Sequence, residues 1–115
     1  MKGGPILVLL ASALSACAGA PPAIGSHLPG PFSAVSGAFD QRVKAQFPIG
    51  SDETALRAVL TQERFVIIRD RDSPFSFTAR YGASELVCRA DWTVRWSVFE
   101  GKIATIGGGY QEICL

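Results

Sequence analysis

The sequence predicts an α+β domain in which two N-terminal helices pack on one face of a four- to five-stranded antiparallel sheet held by one disulfide. Three observations carry that expectation. Apolar residues recur at helical spacing from Val35 to Leu60, and after Glu63 the period shortens to the two-residue alternation of strands. The chain has 115 residues, room for a single domain and one modest core. Hydrophobic residues make up 48% and charged ones 18%, a globular balance that argues against wholesale disorder.

The first stretch reads as an export signal. Met1 and Lys2 give a short positive start, and Ile6 to Leu14 is an apolar run of nine residues, the length of a signal-peptide core. A bilayer span needs about 20 residues, so this run is too short to cross a membrane. It ends in Leu14-Ser15-Ala16-Cys17, which resembles the lipobox of bacterial lipoproteins: a branched apolar residue, small residues whose extended backbone fits a peptidase cleft, then cysteine. The resemblance implies that residues 1–16 are removed, that a diacylglycerol is attached to the Cys17 sulfur, and that the new amino group is acylated. Two or more acyl chains exceed the marginal hold of one, so the membrane is the first expected partner, bound through Cys17. Ala18 rather than aspartate follows the cysteine, which by the sorting rule of enteric-type bacteria implies the outer membrane, with the domain facing the periplasm. The alternative is an ordinary secretory leader cut after a small-x-small site such as Ala18-Gly19-Ala20.

Residues 17–37 hold Pro21, Pro22, Pro29 and Pro31 among Gly, Ala and Ser without an apolar period, the composition of a tether. Drawn straight, such a segment reaches about 60 Å and holds a domain off the lipid surface. His27, the only histidine, falls here and reads as a solvated bystander, since nothing in a linker holds an imidazole against a partner.

The domain itself is expected over residues 38–115. Phe39, Val43 and Phe47, preceded by Val35, form the apolar stripe of a helix that ends before Pro48, with Asp40, Arg42 and Lys44 on its polar face. Ser51 can cap a second helix from about Asp52 to Gln62, whose buried stripe is Leu56, Val59 and Leu60 and whose positive end is favoured by Asp52 and Glu53. Phe65 to Arg69 is β-rich, Arg71-Asp72-Ser73-Pro74 supplies a turn, and Phe75, Phe77, Ala79 and Tyr81 then alternate with Ser76, Thr78 and Arg80. The longest alternation puts Leu86, Cys88, Ala90, Trp92, Val94, Trp96 and Val98 on one side. Thirteen residues make about 43 Å of strand, so a bend or bulge is expected near Ala90-Asp91. Glu100-Gly101 turns the chain into a last strand, Lys102 to Ile106, and Gly107-Gly108-Gly109 reads as a bulge or strand end. Trp92, Val94, Trp96 and Val98 are the natural partners of the helix stripes, so packing rather than ligand stacking is expected of both tryptophans.

The remaining chemistry is sparse. With Cys17 taken by lipid, Cys88 and Cys114 are an even pair in an oxidising compartment, and a bridge between them is worth roughly 3 kcal/mol in the chain-entropy model. Neither a C-x-x-C spacing nor a nearby histidine suggests a metal, and no cofactor motif is present. Eleven basic residues face ten acidic ones, and ten face ten once Lys2 is removed, which disfavours a nucleic-acid partner. Asp70 and Asp72 each have an arginine beside them and lack the glycine and distal glutamate of an EF-hand loop, so a solvated turn is expected. No nucleophile has a histidine placed to activate it, and enzyme activity is not expected.

Gly50-Ser51-Asp52-Glu53-Thr54-Ala55-Leu56 resembles the helix opening of the BamE (SmpA/OmlA) family of outer-membrane lipoproteins, which also place two helices before a small antiparallel sheet behind a lipobox. The resemblance implies a role in assembling β-barrel proteins. The same layout is similar to that of secreted inhibitors of the β-lactamase-inhibitor type. Arg69, Arg71, Asp72, Arg80 and Tyr81 are the candidate protein-binding residues, expected together on the loops and outward face of the first hairpin. The expected function is therefore a lipid-anchored periplasmic binding or scaffold domain with an envelope protein as partner. The alternative is an inhibitor of a hydrolase of lysozyme or β-lactamase type, presenting Asp70 to Pro74 to a cleft. An exposed Asp72 at a protruding tip favours the inhibitor, and an exposed sheet edge or apolar patch favours strand addition.

Overall fold

The computed structural model describes residues 20–84 and 86–114; the expected signal segment 1–16 and the expected lipidation site Cys17 lie outside them. The architecture is α+β: two 3-10 turns, Ala23–Gly25 and Phe32–Ala34, precede α1 (Val35–Gln46) and α2 (Glu53–Gln62). Four strands follow, β1 (Val66–Arg69), β2 (Ser76–Ser84), β3 (Cys88–Phe99) and β4 (Lys102–Cys114), forming an antiparallel meander in the order β1-β2-β3-β4.

The helices form where the apolar stripes are. Phe39 and Val43 of α1 and Leu56 and Leu60 of α2 are fully buried, and Phe47 caps α1 just before Pro48. The start of α2 differs from expectation. Asp52 holds the N-cap position without a side-chain hydrogen bond, because the Ser51 hydroxyl donates instead to the Pro48 carbonyl. At the other end Arg64 adopts a φ of 69° and ends the helix. Its N–H donates to Thr61 O and that of Phe65 to Leu60 O, the paired bonds of a Schellman closure, with buried Phe65 folded back as its apolar contact.

All three hairpins of the meander pair in antiparallel register. Ala79 and Ala83 of β2, Trp92, Val94 and Trp96 of β3, and Ile103 and Ile106 of β4 are the buried sheet residues. All of these but Ala83 meet the helix stripes in one core that also takes in Phe65 and Ile24. Glu100 and Gly101 both have positive φ, 52° and 78°, as a two-residue turn of the right-handed hairpin twist demands.

Three expectations about the strands are corrected. β3 is unbroken from Cys88 to Phe99; the irregularity lies at Ser97/Val98, where Ala104 of β4 is left unmatched between Ile103 and Thr105. Leu86 precedes the strand and is 98% exposed rather than inward. The three glycines do not end β4, which runs on to Cys114 with Gly107, Gly108 and Gly109 opposite Arg95, Val94 and Thr93. The long β3–β4 hairpin is possible because its far end is covered by chain that lacks any apolar period. From Ala20 onward the segment expected to be a free tether is packed: Ile24 is buried, its N–H donates to Glu63 Oε1 at 2.8 Å, and Arg42 of α1 donates to the carbonyls of Ile24, Ser26 and His27. Trp92 lies against Gly25, Phe39 and Tyr110.

The disulfide joins Cys88 and Cys114, directly opposed residues of β3 and β4 with Cα atoms 4.0 Å apart. It pins the open end of the hairpin, the end farthest from the Glu100-Gly101 turn.

Candidate functional site

One face of the sheet carries the helices, so the surfaces left for a partner are its other face, its edges and its loops. The two edges are unlike. The outer edge of β4 is covered at Gly101, Ile103, Gly108 and Tyr110. Glu53 N–H donates to Gly101 O at 3.1 Å, Ile103 exchanges bonds with Gly50 and Ser51 at 2.7 and 2.9 Å, and further along α1 takes over. Asp40 Oδ1 accepts the Gly108 N–H at 2.9 Å and Ser36 Oγ the Tyr110 N–H at 3.0 Å. Ser36 and Asp40 are one helical turn apart, and alternate amides of a strand edge are about 6.6 Å apart, close to the 5.4 Å pitch, so one helix face satisfies two of them. The glycines allow this approach: a Cβ at Gly108 would lie 3.0 Å from Phe39 Cδ2 and Val43 Cγ2. The carboxyl of Asp40 is held below its ordinary value chiefly by the Gly108 N–H, helped by Lys44 at 3.0 Å against the opposing effect of burial.

Among the described residues β1 has no such cover. It pairs only with β2, and the Asp70 N–H to Ser76 O bond sets the parity: Val66 and Ile68 turn their backbone groups toward β2, Ile67 and Arg69 toward the open edge. Beside those free groups the side chains of Val66 and Ile68 are 62% and 57% exposed on the face away from the helices. An apolar, unprotected edge is what sheet proteins normally avoid, because it templates another strand.

The predicted residues divide around this edge. Arg69 ends β1, Arg71 and Asp72 lie exposed in the following turn, and Arg80 stands exposed on β2 directly across from Val66. Among the described residues none of these four makes an ion pair, unlike Lys44, Arg57, Arg89 and Lys102, which each have an acidic partner. Tyr81 is a correction. It shares the core-facing parity of Ala79, is half-buried with its ring 5.5 Å from Phe65, and donates its hydroxyl to Ala20 O, so it is not part of the outward group. Glu112 lies within ligand distance of Cys88 and Cys114, but both sulfurs are spent in the disulfide. Sequence reasoning missed the apolar edge because Val66 and Ile68 sit in a run, Phe65 to Ile68, whose β character says nothing of which side is covered. The sealed edge left a weak signal in the spacing of Ser36 and Asp40 and the run of three glycines. Searches against family models, curated proteins and solved structures found no match to this chain.

Proposed function

We propose that this protein is a lipid-anchored binding or scaffold domain at the outer membrane, facing the periplasm, that takes an extended segment of an envelope protein along β1. The observation that carries the reading is the contrast between the edges: β4 is sealed by α1 and the loop before α2, while β1 offers free backbone groups flanked by Val66 and Ile68. Main-chain pairing supplies affinity in such strand addition, and side chains beside the edge supply selectivity. The preferred segment has apolar residues to lie on Val66 and Ile68 and acidic ones to meet Arg69, Arg71 and Arg80. The resemblance of residues 50–56 to the BamE family makes the β-barrel assembly machinery the first partner to test.

The test is a photo-crosslinking residue at Ile68 in the native lipidated protein in cells. Capture of one envelope protein is expected, and Arg69→Pro should abolish it by removing an outward N–H while leaving the β1–β2 bonds intact. Capture unchanged by that substitution refutes strand addition. The exposed, unpaired Arg71 and Asp72 favour the hydrolase-inhibitor reading, for which a crosslinker at Asp72 should instead capture a hydrolase.

A further inference from the structure

We propose that Leu86 and Val87, which lead into β3 at the disulfide end of the sheet, together with Ile113 of β4, form the surface by which the domain lies on a phospholipid bilayer. This rests on the reading of Cys17 as the lipid attachment site. The chain is tied to the domain as early as Ala20, whose carbonyl accepts the Tyr81 hydroxyl at 3.2 Å. Pro21 then lines a recess with Ala83, Cys88, Ala90 and Glu112, and Ile24 is buried in the core. Cys17 precedes Ala20 by three residues, which reach about 10 Å even when fully extended. A domain on so short a strap cannot stand off its membrane.

The end brought to the lipid is the end that carries unpaired apolar side chains. Leu86 is 98% exposed, Val87 60% and, on the neighbouring strand beside Cys114, Ile113 49%. Such a protruding tip is costly in water and is relieved by the acyl boundary of a bilayer, where about 5 to 10 Å of penetration buries it. The guanidinium of Arg89, two residues on from Val87 and 57% exposed while paired to Asp91, stands at the level of the headgroups. Phe75 and Phe99 are also exposed, but β3 separates them from this end by twelve residues, about 40 Å, and they belong to the side away from the membrane. The geometry leaves the β1 edge between these two ends, open to the periplasm.

The experiment uses the native acylated protein in nanodiscs of phosphatidylethanolamine with a minor fraction of phosphatidylglycerol. The mass of its N-terminal peptide is measured first. An unmodified N-terminus overturns the lipid-anchor reading and this proposal with it. In the acylated protein, methyl resonances are followed as spin-labelled lipid is added. Broadening several-fold greater at Leu86, Val87 and Ile113 than at Ile49 and Ile68 is the expected result, and Leu86→Asp with Val87→Asp should reduce it at Ile113 while leaving the fold and the acylation unchanged. Equal broadening at all five overturns the docking proposal alone, as does a crosslinker at Leu86 that captures a protein while the tip methyls stay sharp.

Discussion

Replacing Gly108 by alanine tests how α1 is held on β4. The new Cβ would lie 3.0 Å from both Phe39 Cδ2 and Val43 Cγ2 and 3.1 Å from Phe39 Cε2. These approaches are tighter than ordinary carbon contacts, so the helix must withdraw by a few tenths of an ångström. Neither neighbour can turn aside, because both are fully buried. The same withdrawal lengthens and weakens the 2.9 Å bond from Gly108 N–H to Asp40. Overpacking of this kind costs about 1 to 3 kcal/mol, and the weakened bond adds to it, while the stiffer unfolded chain returns about 0.5 kcal/mol. A net loss of about 2 kcal/mol is expected, equivalent to about 10 °C in Tm for a domain of this size. Gly109→Ala is the control, since its Cβ would meet only Ser36 Oγ at 3.9 Å, and it should be neutral or slightly stabilising. Gly107→Ala should fall between, because the atom it meets at 3.2 Å, Asp40 Oδ1, belongs to a side chain that can move only by giving up its bond to Gly108. Urea unfolding of the mature, disulfide-bonded chain followed by tryptophan fluorescence gives the three values. Gly108→Ala as stable as Gly109→Ala would refute the close-approach argument.

Other expectations follow from the same contacts. Asp40 is depressed in the folded state relative to its ordinary 3.8, so its contribution is complete above that value and disappears as pH falls through the lower folded one. The stability difference between wild type and Asp40→Asn should therefore be positive at pH 7 and shrink below about pH 4, as urea titrations across that range will report. Arg64→Gly should stabilise by about 0.5 to 1 kcal/mol, since the left-handed position that closes α2 is one a side chain resists; calorimetry showing a lower Tm would contradict the Schellman assignment. Ile24→Ala should cost about 2 kcal/mol, the price of an emptied core position, whereas a free tether would lose nothing.

The elements were readable in the sequence because each is set by short-range periodicity. Phe39 and Val43, or Trp92, Val94 and Trp96, announce a helix face and a strand face through spacing alone, and the pairing of Cys88 with Cys114 followed from there being two cysteines left over. The edge residues were not readable. Val66 and Ile68 differ from buried strand residues only in what stands beside them, and Tyr81 alternates like its neighbours whichever way the outward face is drawn. The run of glycines looked like an interruption because the backbone's need for room is visible only once Phe39 and Val43 press against it. The stretch from Ala20 to Pro31 carried no period at all, yet it is bound through buried Ile24, with Leu28 also packed on the core, and through backbone carbonyls offered to Arg42 and Tyr81. Period and composition belong to neighbours along the chain. Which edge is sealed and whether the stretch from Ala20 packs on the domain depend on contacts between residues about 15 to 75 positions apart, from Arg42 with His27 to Ser36 with Tyr110, and these exist only after the chain has closed on itself.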